Sequence, residues 1–136
     1  MSNLLSVVII AKNEEQFIQD AIKSAQFADE VLLLDSGSID KTCEIAKKLG
    51  ARVENQVWLG FGPQKNRAVD LAANDWVFVL DSDERISSKL QSEIIATLNN
   101  PSCDGYSVAR LNNFFGKDIR TCGLYPDYSV RLFNRT

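Results

Sequence analysis

At 136 residues the chain is long enough for one compact domain with its own core but not comfortably for two. Hydrophobic residues make up 45% and charged residues 24%, which excludes a disordered chain and fits a soluble globular protein. A net charge of −3 with dispersed Lys and Arg excludes the electrostatic footprint of nucleic-acid binding, so no nucleic-acid partner is expected.

The predicted elements alternate short apolar runs with amphipathic segments. Leu5 to Ala11 is a near-continuous apolar run of strand length, the kind buried on both faces of a parallel sheet. Asn13, with Gln16 three residues on, predicts a capped helix carrying Phe17, Ile18, Ala21, Ile22 and Ala25 at helical spacing. Glu30 to Asp35 is the second strand; Ser38 is the expected cap of a helix that stops at Gly50. Ala51 to Val57 reads as a third, more polar strand near an edge, and Pro63 as first-turn residue of a helix to about Ala73. Asp75 to Asp81 is a fourth strand rich in β-branched and aromatic residues. Ser87 caps a helix with Leu90, Ile94, Ile95 and Leu98 on one face, ending at Asn99-Asn100-Pro101. Gly105 to Leu111 and Ser129 to Phe133 are strand-like around a polar, Gly-containing middle.

Such serial βα units predict an α/β, Rossmann-like αβα sandwich with a mostly parallel central sheet, residues 1–136 forming a single domain. The chain stops at Arg135-Thr136 directly after a strand, which reads as C-terminal truncation of a longer protein. Cys43, Cys103 and Cys122 are odd in number and have no CxxC spacing, which argues against a disulfide framework or zinc site and fits a reducing compartment. The apolar runs are far shorter than a membrane span, and no basic-then-apolar leader opens the chain. A cytoplasmic protein without a transmembrane segment is expected, with peripheral work at a membrane surface left open.

In open α/β sheets, ligands bind beyond the carboxyl ends of the strands. Polar clusters fall at four such ends: Ala11-Lys12-Asn13-Glu14, Asp35-Ser36-Gly37-Ser38, Gly60 to Arg67, and Asp81 to Arg85. Asp81 and Asp83 alternate at a strand end, so two carboxylates can share one ligand, as Mg²⁺ sites completed by substrate phosphates require. An N-cap or surface acid cluster is the bland reading of an isolated DxD. Read alone, Asp35-Ser36-Gly37-Ser38 is better explained as a helix-capping turn, although a carboxylate there can accept from a base or ribose donor. Lys65 and Arg67 near a helix N-terminus fit a nearby anion or a solvated face. There is no GxGxxG, no P-loop and no histidine, which removes common dinucleotide, NTPase and His-based chemistries.

Together these segments resemble a family 2 glycosyltransferase of the GT-A fold. Ser6 to Glu14 resembles that family's first strand and base-contacting turn, Asp35 to Thr42 its D-x-G-S-x-D-x-T segment, and Asp81-Ser82-Asp83 its metal-binding DxD. Gly60 to Arg67 and Tyr125 to Phe133 are similar to the bacterial lipopolysaccharide-core β-glucosyltransferases. The resemblance implies that Ala11, Lys12 and Asn13 hold a nucleotide base by backbone groups, and that Asp35, at the Gly37 turn, contacts it. It implies Lys65 near base or phosphate, Asp81 near ribose or metal, and Asp83 as ligand to Mg²⁺ or Mn²⁺. Asp127, preceded by Pro126 where the family has Glu, stands at the place of the general base. The implied reaction is inverting transfer of a hexose from a UDP-sugar donor to a glycan or lipid-linked acceptor, as in lipopolysaccharide core synthesis. A sugar-phosphate nucleotidyltransferase and a non-catalytic nucleotide-sugar-binding fragment are the alternatives.

Overall fold

The computed structural model describes residues 3–103, 105–111, 114–121 and 129–135. The apolar runs of the N-terminal part become a parallel array. Strand β1 (Leu5–Ala11) pairs along its length with β2 (Glu30–Asp35) on one side and β4 (Trp76–Asp81) on the other, and β3 (Arg52–Asn55) adds to the outside of β2. Nearly every residue of β1 and β4 is buried, as strands covered on both faces must be, whereas β3 at the sheet edge has exposed ends.

Alternation along β1 divides the core in two. Leu5, Val7 and Ile9 pack with Ile18, Ala21 and Ile22 of α1 (Ile18–Ala25), Ala46 of α2 (Thr42–Lys48), and Leu90, Ile94 and Leu98 of α4 (Ser88–Asn99). Val8 turns to the other face and packs with Val77 and Val79, Leu32 and Leu34, and Ala68 of α3 (Phe61–Leu71). The result is the predicted αβα sandwich. Beyond β4 the sheet changes direction: β8 (Ser129–Asn134) is antiparallel to β4 and to β6 (Gly105–Leu111), and β7 (Phe114–Thr121) is antiparallel to β6. With the two-residue β5 (Arg85–Ile86), the eight-stranded sheet runs β3-β2-β1-β4-β8-β6-β7-β5.

Two predicted caps are corrected. α1 begins at Ile18 and α2 at Thr42, so neither Asn13 nor Ser38 caps a helix. They stitch two loops together instead: the Asn13 N–H donates to Ser38 Oγ at 2.8 Å, and the Ile39 N–H donates to Asn13 Oδ1 at 2.8 Å. Asn13 adopts φ +54° to do so, in the left-handed region that Asn tolerates better than most residues. Ser87 caps α4 as predicted, accepting from the Leu90 N–H at 3.1 Å, and Gly50 follows α2 with φ +87°. Strands β5 and β7 were not predicted. The cysteine reading is also corrected: Cys43 is free, but Cys103 is disulfide-bonded. Sequence spacing does not report separation in space, and Tyr106, three residues past Cys103, lies opposite Thr121 across the β6–β7 pairing.

Candidate functional site

The register places three strand ends on one rim, because Ala11 lies opposite Asp35 and Ile10 opposite Asp81. A cleft of about 570 Å³ opens there. Ile10, Ala11, Lys12 and Glu14 form its β1 side, Ser36 its β2 side, and Asp81, Ser82 and Asp83 its β4 side. Trp58, Phe61 and Lys65, from the β3–α3 loop and the first turns of α3, close the remaining wall.

The β4 end is built around a buried ion pair. Glu84 has no exposed surface, and its Oε1 accepts from the Asp81 N–H at 3.0 Å and from Arg131 Nη1 at 3.3 Å. Arg131, 6% exposed, also donates to the Val79 carbonyl at 2.9 Å. A second nitrogen of this guanidinium lies 3.5 Å from Asp81 Oδ2, while Lys65 Nζ lies 3.7 Å from Asp81 Oδ1. Asp81 therefore sits between two cations with its side chain 26% exposed, and Asp83 stands on the open wall. Burial pushes the Glu14 carboxyl above its ordinary value, with the charges of Asp83 and then Asp40 adding to the effect.

Asp81 and Asp83 thus come together in the cleft, with Ala11, Lys12 and Lys65. Asn13, Asp35 and Gly37 are not on its wall. Asp35 is 2% exposed and serves its own turn: Oδ2 accepts from the N–H groups of Gly37 at 3.0 Å and Ser38 at 2.7 Å, and Oδ1 from the Ser38 hydroxyl. The Cys43 thiol also bonds to it, and burial followed by the Asp35 charge raises that thiol's pKa. A base donor reaching Asp35 must open this turn. Gly37 has φ +112° and open space where a Cβ would stand, so conformation rather than crowding calls for glycine. Arg67 is exposed and off the wall, and Asp127 lies outside the described residues. Sequence reasoning missed Trp58 and took Phe61 and the fully buried Gln64 only as members of the Gly60 to Arg67 cluster; two aromatic residues flanking Gly60 were the available signal.

Among the described residues no group of three or more metal-ligating side chains occurs. Two carboxylates at an open rim fit a hard divalent cation that draws its other oxygens from a bound phosphate and water, not one held in a protein cage.

The family model for glycosyl transferase family 2 matches residues 6–123. The chain is 38% identical over 135 residues to an uncharacterized glycosyltransferase of Rickettsia typhi, covering 96% of this chain and 46% of that protein. It is 32% identical over 138 residues to the lipopolysaccharide core biosynthesis glycosyltransferase LpsC of Rhizobium meliloti, covering 96% of this chain and 51% of that protein. Among solved structures it is similar to glucosyl-3-phosphoglycerate synthase from Mycobacterium tuberculosis in complex with UDP, with a TM-score of 0.65 and 29% identity over 76% of this chain and 43% of that one. The same enzyme in complex with Mn²⁺, UDP and glucosyl-3-phosphoglycerate matches with a TM-score of 0.62 and 28% identity, over 76% of this chain and 42% of that one. The chain spans about half the length, or less, of these relatives.

Proposed function

The chain belongs to glycosyl transferase family 2, and from that premise we propose that residues 1–136 act as one domain, the nucleotide-sugar-binding part of a metal-dependent hexosyltransferase. The observation that carries this reading is the convergence of Asp81, Ser82 and Asp83 from β4 on the cleft that Ala11, Lys12 and Lys65 also line.

Asp83, with Asp81 beside it, would hold Mg²⁺ or Mn²⁺ against the donor diphosphate; when bound, the cation offsets charge developing on the leaving group. Support for this pairing of metal and nucleotide comes from the mycobacterial enzyme, which was crystallised with Mn²⁺ and UDP. Lys65 and Arg131 flank Asp81 and bring positive charge to the phosphate end of the cleft. Ala11 and Lys12 offer backbone groups to the base, while Asn13, Asp35 and Gly37 act by fixing the two adjoining turns. Asp127 is the proposed general base, accepting the acceptor hydroxyl's proton as that oxygen displaces the nucleoside diphosphate with inversion. Proton acceptance of this kind contributes about 10²–10⁴-fold to a rate.

The donor is proposed to be a UDP-hexose and the acceptor a glycan or lipid-linked hydroxyl in lipopolysaccharide core or other envelope synthesis, which the likeness to LpsC supports. Among the described residues no helix is long and apolar enough to cross a membrane; action in the cytoplasm, peripherally at the inner membrane face, is proposed. The Cys103 disulfide pulls against a reducing compartment, and thiol counting on protein trapped in cells decides that point. The main test is calorimetric titration with UDP and UDP-glucose, each with and without Mg²⁺ or Mn²⁺. Metal-dependent binding is expected in the parent and lost in Asp83→Asn; equal affinity in both would sink the metal assignment.

A further inference from the structure

Residues 57–61 expose an unusual amount of apolar surface: Val57 is 81% exposed, Trp58 46%, Leu59 49% and Phe61 74%. Contiguous exposed apolar surface rimmed by polar residues marks a place where something binds. Trp58 and Phe61 belong to the cleft wall, and their rings meet edge to face, centroids 5.0 Å apart at 89°.

This loop is held from beneath by Gln64, a side chain with no exposed surface. Its Oε1 accepts from the Leu59 N–H at 3.1 Å and its Nε2 donates to the Gln56 carbonyl at 3.3 Å, so the chain is pinned on both sides of Trp58. Gln56 is itself tied to β2, its N–H donating to the Asp35 carbonyl at 2.9 Å, and the Gln64 N–H bonds the Gly60 carbonyl at 2.8 Å. A buried amide committed wholly to a loop orders the rings before any ligand arrives, which lowers the entropic cost of binding.

We propose that Trp58 and Phe61 form the platform for the donor's nucleobase, one ring stacking on it face to face and the other meeting it edge-on, with Gln64 as their positioning residue. The inference rests on the nucleotide-sugar reading above and deepens it. Phe61 and Lys65 are four residues apart on α3, hence neighbours on one helix face. Lys65 reaches Asp81, so one continuous wall runs from the aromatic pair through a cation to the carboxylates. A ligand along this wall needs an anionic, cation-binding end and a flat end with an apolar face. A nucleoside diphosphate has both. The backbone of the β1 turn across the cleft supplies polar groups for the edge of the base.

Intrinsic fluorescence tests this directly, because the other tryptophan, Trp76, is only 4% exposed. With Mg²⁺ present, UDP is expected to quench Trp58, whereas inorganic pyrophosphate binds without quenching. Trp58→Leu should abolish the signal and weaken UDP by on the order of tenfold to a hundredfold, leaving pyrophosphate affinity unchanged. Phe61→Leu, at a more exposed position, and Gln64→Ala should weaken UDP selectively over pyrophosphate, with the fold verified by circular dichroism. Unchanged UDP affinity in both Trp58→Leu and Phe61→Leu overturns the platform. So does equal quenching by pyrophosphate, or quenching by UDP-glucose but not UDP, which would put the hexose there. Failure of the parent to bind any nucleotide defeats the donor reading itself, and the platform with it.

Discussion

Replacing Arg131 with Met removes the guanidinium that joins β8 to the carboxyl end of β4 while keeping most of the side chain's length. Glu84, with no exposed surface, keeps the Asp81 N–H at 3.0 Å but loses the guanidinium at 3.3 Å, and the Val79 carbonyl loses a donor at 2.9 Å. Breaking a buried ion pair from one side costs about 3–5 kcal/mol, because the remaining charge stays out of water. The 3.5 Å contact with the partly exposed Asp81 adds little. At a chain length of 136 residues, each kcal/mol moves the melting temperature by roughly 3 °C, so Arg131→Met should melt about 10–15 °C below the parent. The assay is a circular-dichroism melt at pH 7 of the parent, Arg131→Met and the double variant Glu84→Gln/Arg131→Met. Neutralising Glu84 removes the buried charge that has lost its guanidinium, and the double variant should recover at least half of the loss. A single variant within about 1 kcal/mol of the parent, or a double variant no more stable than the single, refutes the reasoning.

Glu30 offers a pH test. Burial raises its carboxyl, but bonds from the Ala73 N–H, the Ser6 hydroxyl and Arg52 outweigh that and hold it below its ordinary value of 4.5. The stabilisation is therefore complete above that value and lost as pH falls through the lower folded-state value. Glu30→Gln should be less stable than the parent at pH 7, with the gap narrowing in urea melts taken below pH 4.5; a gap independent of pH contradicts this. Asn13→Ala loses the bond to the Ile39 N–H and places a residue ill-suited to φ +54° in the β1–α1 turn. It should cost roughly 1–3 kcal/mol in denaturant melts, with Asn13→Gly milder if backbone strain is the larger part. Ser87→Ala removes the α4 cap and should cost about 1 kcal/mol by the same measurement, while Ser88→Ala leaves stability near the parent's.

The central sheet was legible because β1 and β4 are near-continuous apolar runs of strand length, rich in β-branched or aromatic residues. The rule that ligands bind beyond the carboxyl ends of parallel strands made the shared rim legible, and with it Asp81 and Asp83. The helix starts were misread at Asn13 and Ser38 for a tertiary reason: both residue types cap helices, and here their polar groups meet each other across two loops. Asp35 is the parallel case at the site, since a carboxylate before Ser36-Gly37-Ser38 has the same sequence whether it faces a ligand or closes its own turn. Strand β7, with Gly116, Lys117, Asp118 and Arg120 among its residues, lacks the alternation that identifies a strand and is recruited by pairing with β6. The Glu84–Arg131 pair spans 47 residues, and no local pattern signals it. Aromatic side chains such as Trp58 and Phe61 are ordinarily taken for core; only their exposure, in a pinned loop and at the first residue of α3, sets them apart.

The place of β8 in the sheet has a consequence for how the protein is made. It sits between β4 and β6, although it follows both in the sequence. During synthesis, β1 to β4 can assemble while one side of β4 still lacks its hydrogen-bonding neighbour. That open side, Trp76 to Phe78 of an apolar strand, is a ready template for pairing with another nascent copy. A ribosome-stalled chain halted before residue 129 should therefore bind chaperone and self-associate, and one that has released β8 should not.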